Sequence, residues 1–237
     1  MTQISRRFLL LSAAAAAAGC ALGGRERPEE GKPAAAVRVP VVGQSWRYAK
    51  YDFISGAFVE NQTDRVAAVG ATIAIESQSD TGKDESSAHP SRGAEIQDPW
   101  GMVRVDPHWG QAQVYEMPIP LWPAHLRPGW RSHFRTHYKT IAHESSLSWE
   151  QTMEAHRWET VAGPAGEFKA LRFTNRINFT HPDPARTNST RRETMWFAPE
   201  IGRWVERESV GTFYWDDSVD DTSSIENSYR WKLLEWS

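Results

Sequence analysis

Eight histidines, a set of paired acids and twelve tryptophans are the residues of this chain whose types could do chemistry. Two of the histidines, His133 and His137, lie four positions apart in R-S-H-F-R-T-H-Y-K. On a strand they share a side but stand ~13 Å from one another, too far to hold one ion together. His143 and His156 can approach them across a hairpin, yet Arg131, Arg135 and Lys139 occupy the same polar side and repel a cation. No metal and no other cofactor is therefore expected. The run Asp216 to Asp221, D-D-S-V-D-D, offers the oxygen atoms calcium favours but lacks the glycine and terminal glutamate of an EF-hand loop, so it reads as an exposed turn. Nucleophilic catalysis has no G-x-S-x-G elbow to work with. A paired-carboxylate hydrolase leaves no sequence signature, and Glu206 with Glu208 is the best-placed pair for one.

A run of strands must position these groups, and it is clearest from Val161 to Val210. Gly163-Pro164-Ala165-Gly166 is a turn. After it Leu171, Phe173, Ile177 and Phe179 point one way and Arg172, Thr174, Arg176 and Asn178 the other, which is a strand with one buried face. Beyond a loop at His181 to Thr190, Met195 and Phe197 alternate with Arg192, Thr194 and Trp196 until Pro199-Glu200-Ile201-Gly202 turns the chain back. Continued alternation places Arg172, Arg176, Arg192, Trp196, Trp204, Glu206, Glu208, Arg230 and Lys232 on the face opposite the core. Such a face is either a ladder of cross-strand ion pairs or a polar groove. In the groove, Trp196 and Trp204 stack on a ligand while Arg172, Arg176 and Arg192 hold its anionic groups beside Glu206 and Glu208.

The rest of the chain reads the same way. Strands are expected from Gln44 to Phe53, from Arg65 to Glu76 after a turn at Asn61 to Asp64, at Met102 to Val105, at Ala112 to Tyr115, from Trp130 to Ile141, from Leu147 to Val161 and from Ser224 to Trp236. Ser77 to Glu95 is small, polar and broken by Gly and Pro, and is expected to be a long mobile loop. Four prolines between Met117 and Trp130 exclude a helix or a central strand and leave an ordered apolar crossover. No helical periodicity alternates with the strands. The expected fold is all-β, a single antiparallel meander of eight to ten strands curled into a barrel or half-barrel, with a β-sandwich as the alternative. All twelve tryptophans follow residue 45, and most belong in the core and rim of the curved sheet.

Residues 1–19 stand outside that domain. Ser5-Arg6-Arg7 precedes a short apolar run from Phe8 to Ala18, too short to cross a bilayer as a helix, so it is an export signal. The arginine pair Arg6 and Arg7 resembles a twin-arginine signal, which implies export in the folded state, with a general-secretion signal as the alternative. Ala17-Ala18-Gly19-Cys20 resembles the lipobox of bacterial lipoproteins, in which the Cys20 thiol is acylated and becomes the mature N-terminus. Ala21 after it, rather than Asp, implies the outer membrane and a domain facing the periplasm. Residues 20–40 lack periodicity and read as a flexible tether reaching roughly 25 Å, with the β domain occupying 41–237. Cys20 is the chain's single cysteine, so no internal disulfide is available and stability must come from a core. The net charge of −3 becomes more negative once Arg6 and Arg7 are removed, so no nucleic-acid partner is expected.

The order P-A-G-x-F-K-A-L-R, then T-M-W-F-A-P-E-I-G-R-W-V-E-R-E, resembles uncharacterised exported bacterial proteins, among them DUF3108-like β-rich families, over about Glu159 to Ser209. The resemblance implies a β-rich fold and brings no catalytic residue. The function expected is that of a lipid-anchored envelope protein binding a lipid, glycan or envelope-protein ligand without catalysis. The alternative is an envelope hydrolase acting on glycan or lipid. Each buried CH₂ of an acyl chain contributes about 0.8 kcal/mol, so two or three chains anchor a domain that has no spanning helix of its own. Cys20→Ser is expected to abolish metabolic labelling with palmitate and to release the protein from salt-washed membranes; a mutant that still pellets removes the lipoprotein reading.

Overall fold

The computed structural model of the protein describes residues 36–80, 93–109, 111–140, 142–216 and 223–237. Arg6, Arg7 and Cys20 lie outside the described residues, as do positions 81–92 of the expected loop and all but Asp216 of the acidic run. The described chain forms twelve strands: β1 (Ser45–Asp52), β2 (Phe58–Val69), β3 (Ile73–Asp80), β4 (Ala94–Gln97), β5 (Met102–Asp106), β6 (Gln113–Pro120), β7 (Arg131–Thr140), β8 (His143–Gly163), β9 (Gly166–Phe179), β10 (Arg186–Ala198), β11 (Arg203–Trp215) and β12 (Ser224–Trp236). Each pairs antiparallel with the next, and β1 pairs with β12, so the meander is a closed barrel with no edge.

Closure follows from one-sided burial. In β9 the pattern is buried at Leu171, Phe173, Asn175, Ile177 and Phe179 and open between them, as period-two side chains on a curved sheet require. The outer face of the longer strands is charged, with Arg135 against Glu150, Arg131 against Glu154 and Arg230 against Glu208. This is the reverse of a membrane-spanning barrel, which carries an apolar band outside. No helix among the described residues is long and apolar enough to cross a membrane.

The register gives the barrel two unlike ends. The termini, the crossover from Leu121 to Trp130 and the β10–β11 turn gather at one end. Trp122 stacks on Phe197 with ring centroids 4.7 Å apart, and Trp122 and Leu126 are buried in a core cluster with Ile201 and Trp46. Arg38 donates its backbone N–H to the carbonyl of Pro199, and Trp100 Nε1 donates to the carbonyl of Arg38, so this stretch of the expected tether lies against the plug. Gly202, at φ 69°, leaves room for that contact, since a Cβ there would sit 2.8 Å from the Arg38 oxygen. The opposite end, the mouth, carries the β5–β6, β7–β8, β9–β10 and β11–β12 connections. A second cluster, of Tyr115, Tyr138, Trp149, Ile177 and Phe179, packs below it.

Several expectations are corrected. Asn61 to Asp64 is not a turn but the middle of β2, paired with β1 from Asn61↔Ala49 to Asp64↔Trp46, because its buried face is polar and finds partners inside the barrel. The turn falls instead at residues 70–72 and splits the expected Arg65–Glu76 strand. Ser77 to Asp80 extend β3, and Ala94 and Glu95 belong to β4, so the loop is shorter than expected. Pro118 and Pro120 sit within β6, which is allowed because β7 pairs only with Gln113 to Tyr115 and asks for no amide beyond that point. The crossover is thus confined to Leu121 to Trp130.

Trp204 is on the wrong face in the sequence reading. Between Trp196↔Glu206 and Phe197↔Trp204 the β10–β11 register shifts by one residue, with Val205 as the extra residue. The bulge turns Trp204 inward beside Tyr48, whose hydroxyl donates to the Trp204 carbonyl at 3.0 Å. Trp196 does lie on the outer face, half-buried, and donates to Glu159 Oε2 at 2.8 Å. Trp204→Ala is therefore expected to cost about 3 to 5 kcal/mol in a urea unfolding curve, and Trp196→Ala about 1 kcal/mol or less. Equal losses would place both rings on one face.

Candidate functional site

The inner face of this barrel is not uniformly apolar. In β2 the inward residues are Glu60, Gln62, Asp64 and Val66, and in β4 they are Glu95 and Gln97. β10 turns Arg191 and Glu193 inward, and β11 does the same with Arg203, Arg207 and Ser209. Acids on β2, β4 and β5 thus meet arginines on β10 and β11 across the interior. Arg203 is fully buried and donates to Asp64 Oδ2 at 2.8 Å and to Glu95 Oε2 at 3.2 Å. Arg207 donates to Glu193 Oε1 at 2.6 Å, and Asn175 Nδ2 donates to the other Glu193 oxygen at 3.3 Å. Lys50 pairs with Glu60 at 3.0 Å and lies 4.0 Å from the centroid of Tyr229.

The β5–β6 connection reaches into this layer. Asp106 Oδ1 lies 2.7 Å from His108 Nδ1 and accepts the His108 backbone N–H at 2.9 Å, while Oδ2 accepts Trp109 Nε1 at 2.9 Å. One carboxylate therefore sets both rings. Burial alone would lower the His108 pKa from 6.5, but Asp106, then Asp64, raise it to about 9. Burial would likewise raise Asp64 and Asp106. Arg203 with His108 for the first, and His108 with Arg207 for the second, overcome it and hold both well below the usual carboxylate range. Arg203 is raised, burial being outweighed by Glu95 and Asp64.

Above this layer the mouth opens into a cavity of about 470 Å³, lined among others by Trp109, Gln113, Thr140, Phe179, Arg191 and Asn227. Its volume suits a small molecule. A second cavity of about 870 Å³ adjoins it, sharing Phe179, His181 and Arg186, and runs along Glu116, Arg135 and Trp149. At the rim Arg186 pairs with both Glu226 and Asp183. Burial lowers the His181 pKa, so at neutral pH that ring is uncharged.

The outer face places the sequence-derived residues as follows. Trp196 lies between Arg172 of β9 and Glu206 of β11 in register, and Arg192 faces Arg176. Arg230 bridges Glu208 and Glu206, and Arg172 lies 3.7 Å from Glu159. Burial raises the Glu206 pKa, with Lys232 opposing and Glu208 adding to the rise. Arg172, Arg176, Arg192, Trp196, Glu206 and Glu208 are thus brought together without Trp204, as a cross-strand ladder. The 470 Å³ cavity lies elsewhere, at the mouth, and the 870 Å³ one runs along the outer face of β7 and β8. Missing from the sequence reading were Arg191, Glu193 and Arg207, although the same alternation that turns Met195, Phe197 and Phe213 inward turns them inward too. His133 and His137 are exposed on β7, near Glu150 and Glu116 respectively.

No family model matches the chain, and no curated protein does. Among solved structures, it is similar to a candidate exported protein with a YmcC-like fold from Bacteroides fragilis, at 14% identity and a TM-score of 0.52, covering 86% of this chain and 99% of that one. A candidate lipoprotein from Parabacteroides distasonis aligns at 12% identity and a TM-score of 0.46 over 88% of this chain and 100% of its own. The hypothetical lipoprotein YmcC of Escherichia coli aligns at 10% identity and a TM-score of 0.43 over 84% and 90%. The first of these shares the fold.

His108 ties folding to pH in a definite direction. Its folded-state pKa is raised above 6.5 to about 9, so its contribution is complete below about pH 6.5 and is lost as pH rises through about 9. Stability is expected to fall by roughly 3 kcal/mol across that window. His108→Gln should flatten this part of the stability profile, and an unchanged slope in the variant would assign the loss to another group.

Proposed function

We propose that this protein is a lipid-anchored component of the bacterial cell envelope that holds a small ligand in the mouth of its barrel and performs no catalysis. The observation that carries the reading is the asymmetry of the barrel among the described residues, plugged at one end by Trp122, Leu126 and the chain entering at Arg38, and holding a cavity of about 470 Å³ at the other. A barrel whose only task was to be rigid would gain by filling that end, because unfilled volume forfeits dispersion contacts.

Catalysis is disfavoured by the state of the candidate groups: the acids that line the cavity, Asp183 and Glu226, are both engaged by Arg186. His108 is an imidazolium at neutral pH and cannot serve as a general base. Glu206 and Glu208 stand on the outer face with Arg230 bridging them, not in a cleft where a glycosidic bond could lie between two acids. The address rests on the sequence: Arg6 and Arg7 before a short apolar run, then Cys20, support export and an acyl anchor, and Ala21 after Cys20 supports the periplasmic side of the outer membrane. The structurally similar protein of Bacteroides fragilis is itself described as exported, in keeping with that address.

Native mass spectrometry of the protein taken from its own membranes tests the reading. A small-molecule adduct is expected on the wild type and is expected to be lost in Ala142→Trp, which plugs the mouth from an exposed position and leaves the melting temperature unchanged. A wild type without adduct, or an adduct that survives the plug, would overturn it.

A further inference from the structure

Among the described residues the interior holds five cationic side chains, Lys50, His108, Arg191, Arg203 and Arg207, and five acids, Glu60, Asp64, Glu95, Asp106 and Glu193. They balance in number but not in pairing. Lys50 has Glu60, Arg207 has Glu193, His108 has Asp106, and Arg203 takes both Asp64 and Glu95. Arg191 has none. It is 97% buried, and neither its Nε nor its Nη1 meets a hydrogen-bond partner among the described residues. Glu193, two residues along on the same face, is occupied by Arg207 and Asn175. Burial lowers the Arg191 pKa, but a guanidinium starts so far above neutrality that it stays charged.

What surrounds Arg191 is aromatic. Its guanidinium carbon lies 3.5 Å from the centroid of Trp109 and 5.3 Å from that of Phe179. Stacking occupies the faces of a guanidinium, whereas its N–H donors lie in its plane and point out along the edge. The packing therefore holds the fork in place while Nε and Nη1 stay without a partner and closed to solvent. Arg191 also lines the mouth cavity, so its side chain borders that volume. The two rim acids, Asp183 and Glu226, are both engaged by Arg186 and cannot serve Arg191.

We infer that Arg191 is an anion receptor at the inner end of the mouth cavity, built to take the carboxylate or phosphate of a small organic anion whose apolar part rests against Trp109 and Phe179. This rests on the binding role proposed above and names the chemical class of the ligand. A planar or tetrahedral oxyanion accepts two parallel N–H bonds from a guanidinium edge, and inside a barrel such bonds are worth more than in water. The bound anion supplies the partner that folding withholds. A buried cation without a partner weakens the empty protein, so the same residue that creates affinity is expected to lower stability.

The test uses full-length protein purified in detergent, titrated separately with inorganic phosphate and with octanoate, following tryptophan fluorescence, to which Trp109 contributes, and calorimetry. Saturable binding of at least one probe is expected, weakened on the order of tenfold or more in Arg191→Met. It should be unaffected in Arg47→Gln, an exposed residue paired with Glu235 at the plugged end. Ligand-free Arg191→Met is expected to melt at or above the wild-type temperature. Arg191→Lys, which keeps the charge but not the fork, should fold and bind more weakly. A response to phosphate alone assigns a phosphate ester, and one to octanoate alone a carboxylate. Neither probe binding, equal binding by Arg191→Met, or an Arg191→Met protein that melts below the wild type would each overturn the assignment. A neutral molecule found in the mouth by mass spectrometry would remove the anion receptor while leaving the binding role intact.

Discussion

Everything in this molecule depends on keeping Arg203 satisfied. The guanidinium has no access to solvent, and its two carboxylate partners come from β2 and β4, 139 and 108 residues away in the chain. Those strands reach β11 only because β1 closes onto β12. Opening the seam would leave one cation and two acids in a low-dielectric interior, a loss of about 3 to 5 kcal/mol for a single broken buried pair. Closure and charge compensation are therefore one event. An apolar interior would have tolerated slippage of one strand against another, whereas a fixed set of ion pairs specifies the register of strands that never touch each other.

Around that constraint the interior is graded from one end to the other. Arg203 opens β11 opposite Ala198, Arg207 lies opposite Met195, and Arg191 lies opposite Gly211, so the three arginines climb the wall in even steps. Their surroundings change along the climb. Arg203 has two acids, Arg207 has one, Glu193, itself braced by the Asn175 amide, and Arg191 has only aromatic rings within contact among the described residues. Trp109 links the upper two, lying 5.0 Å from Arg207 and 3.5 Å from Arg191, and its indole N–H is held by the carboxylate that also holds His108. A change in charge at His108 is thus one carboxylate and one ring away from the cavity.

The legibility of the fold in the sequence was uneven, for identifiable reasons. From Leu171 to Phe179 and from Arg192 to Phe197 the alternation of apolar with polar residues is undisturbed, and both faces follow from it, although β10 begins at Arg186, inside the expected His181 to Thr190 loop. Trp204 did not follow, because a bulge adds one residue and reverses the parity of what precedes it, and nothing in R-W-V-E marks that addition. β2 did not follow either. Its inner face is Glu60, Gln62 and Asp64, a pattern that pairing rules assign to solvent unless the partners are known, and the partners of Gln62 and Asp64 are Trp231 and Arg203. The mouth was invisible for the same reason: Arg191 looks like one more charge beside Arg192 until period two is carried through past the apolar residues. Local sequence reports on faces, whereas compensation of buried charge is a property of the closed circuit.

The docking of Arg38 against Pro199 fixes where the chain enters the barrel, and that is the plugged end. A load on the chain at that point is therefore borne by the stopper, while the mouth lies at the far end of the barrel. Such a load would act first on the Trp100 and Pro199 contacts of Arg38, and the rim would be the last part to feel it.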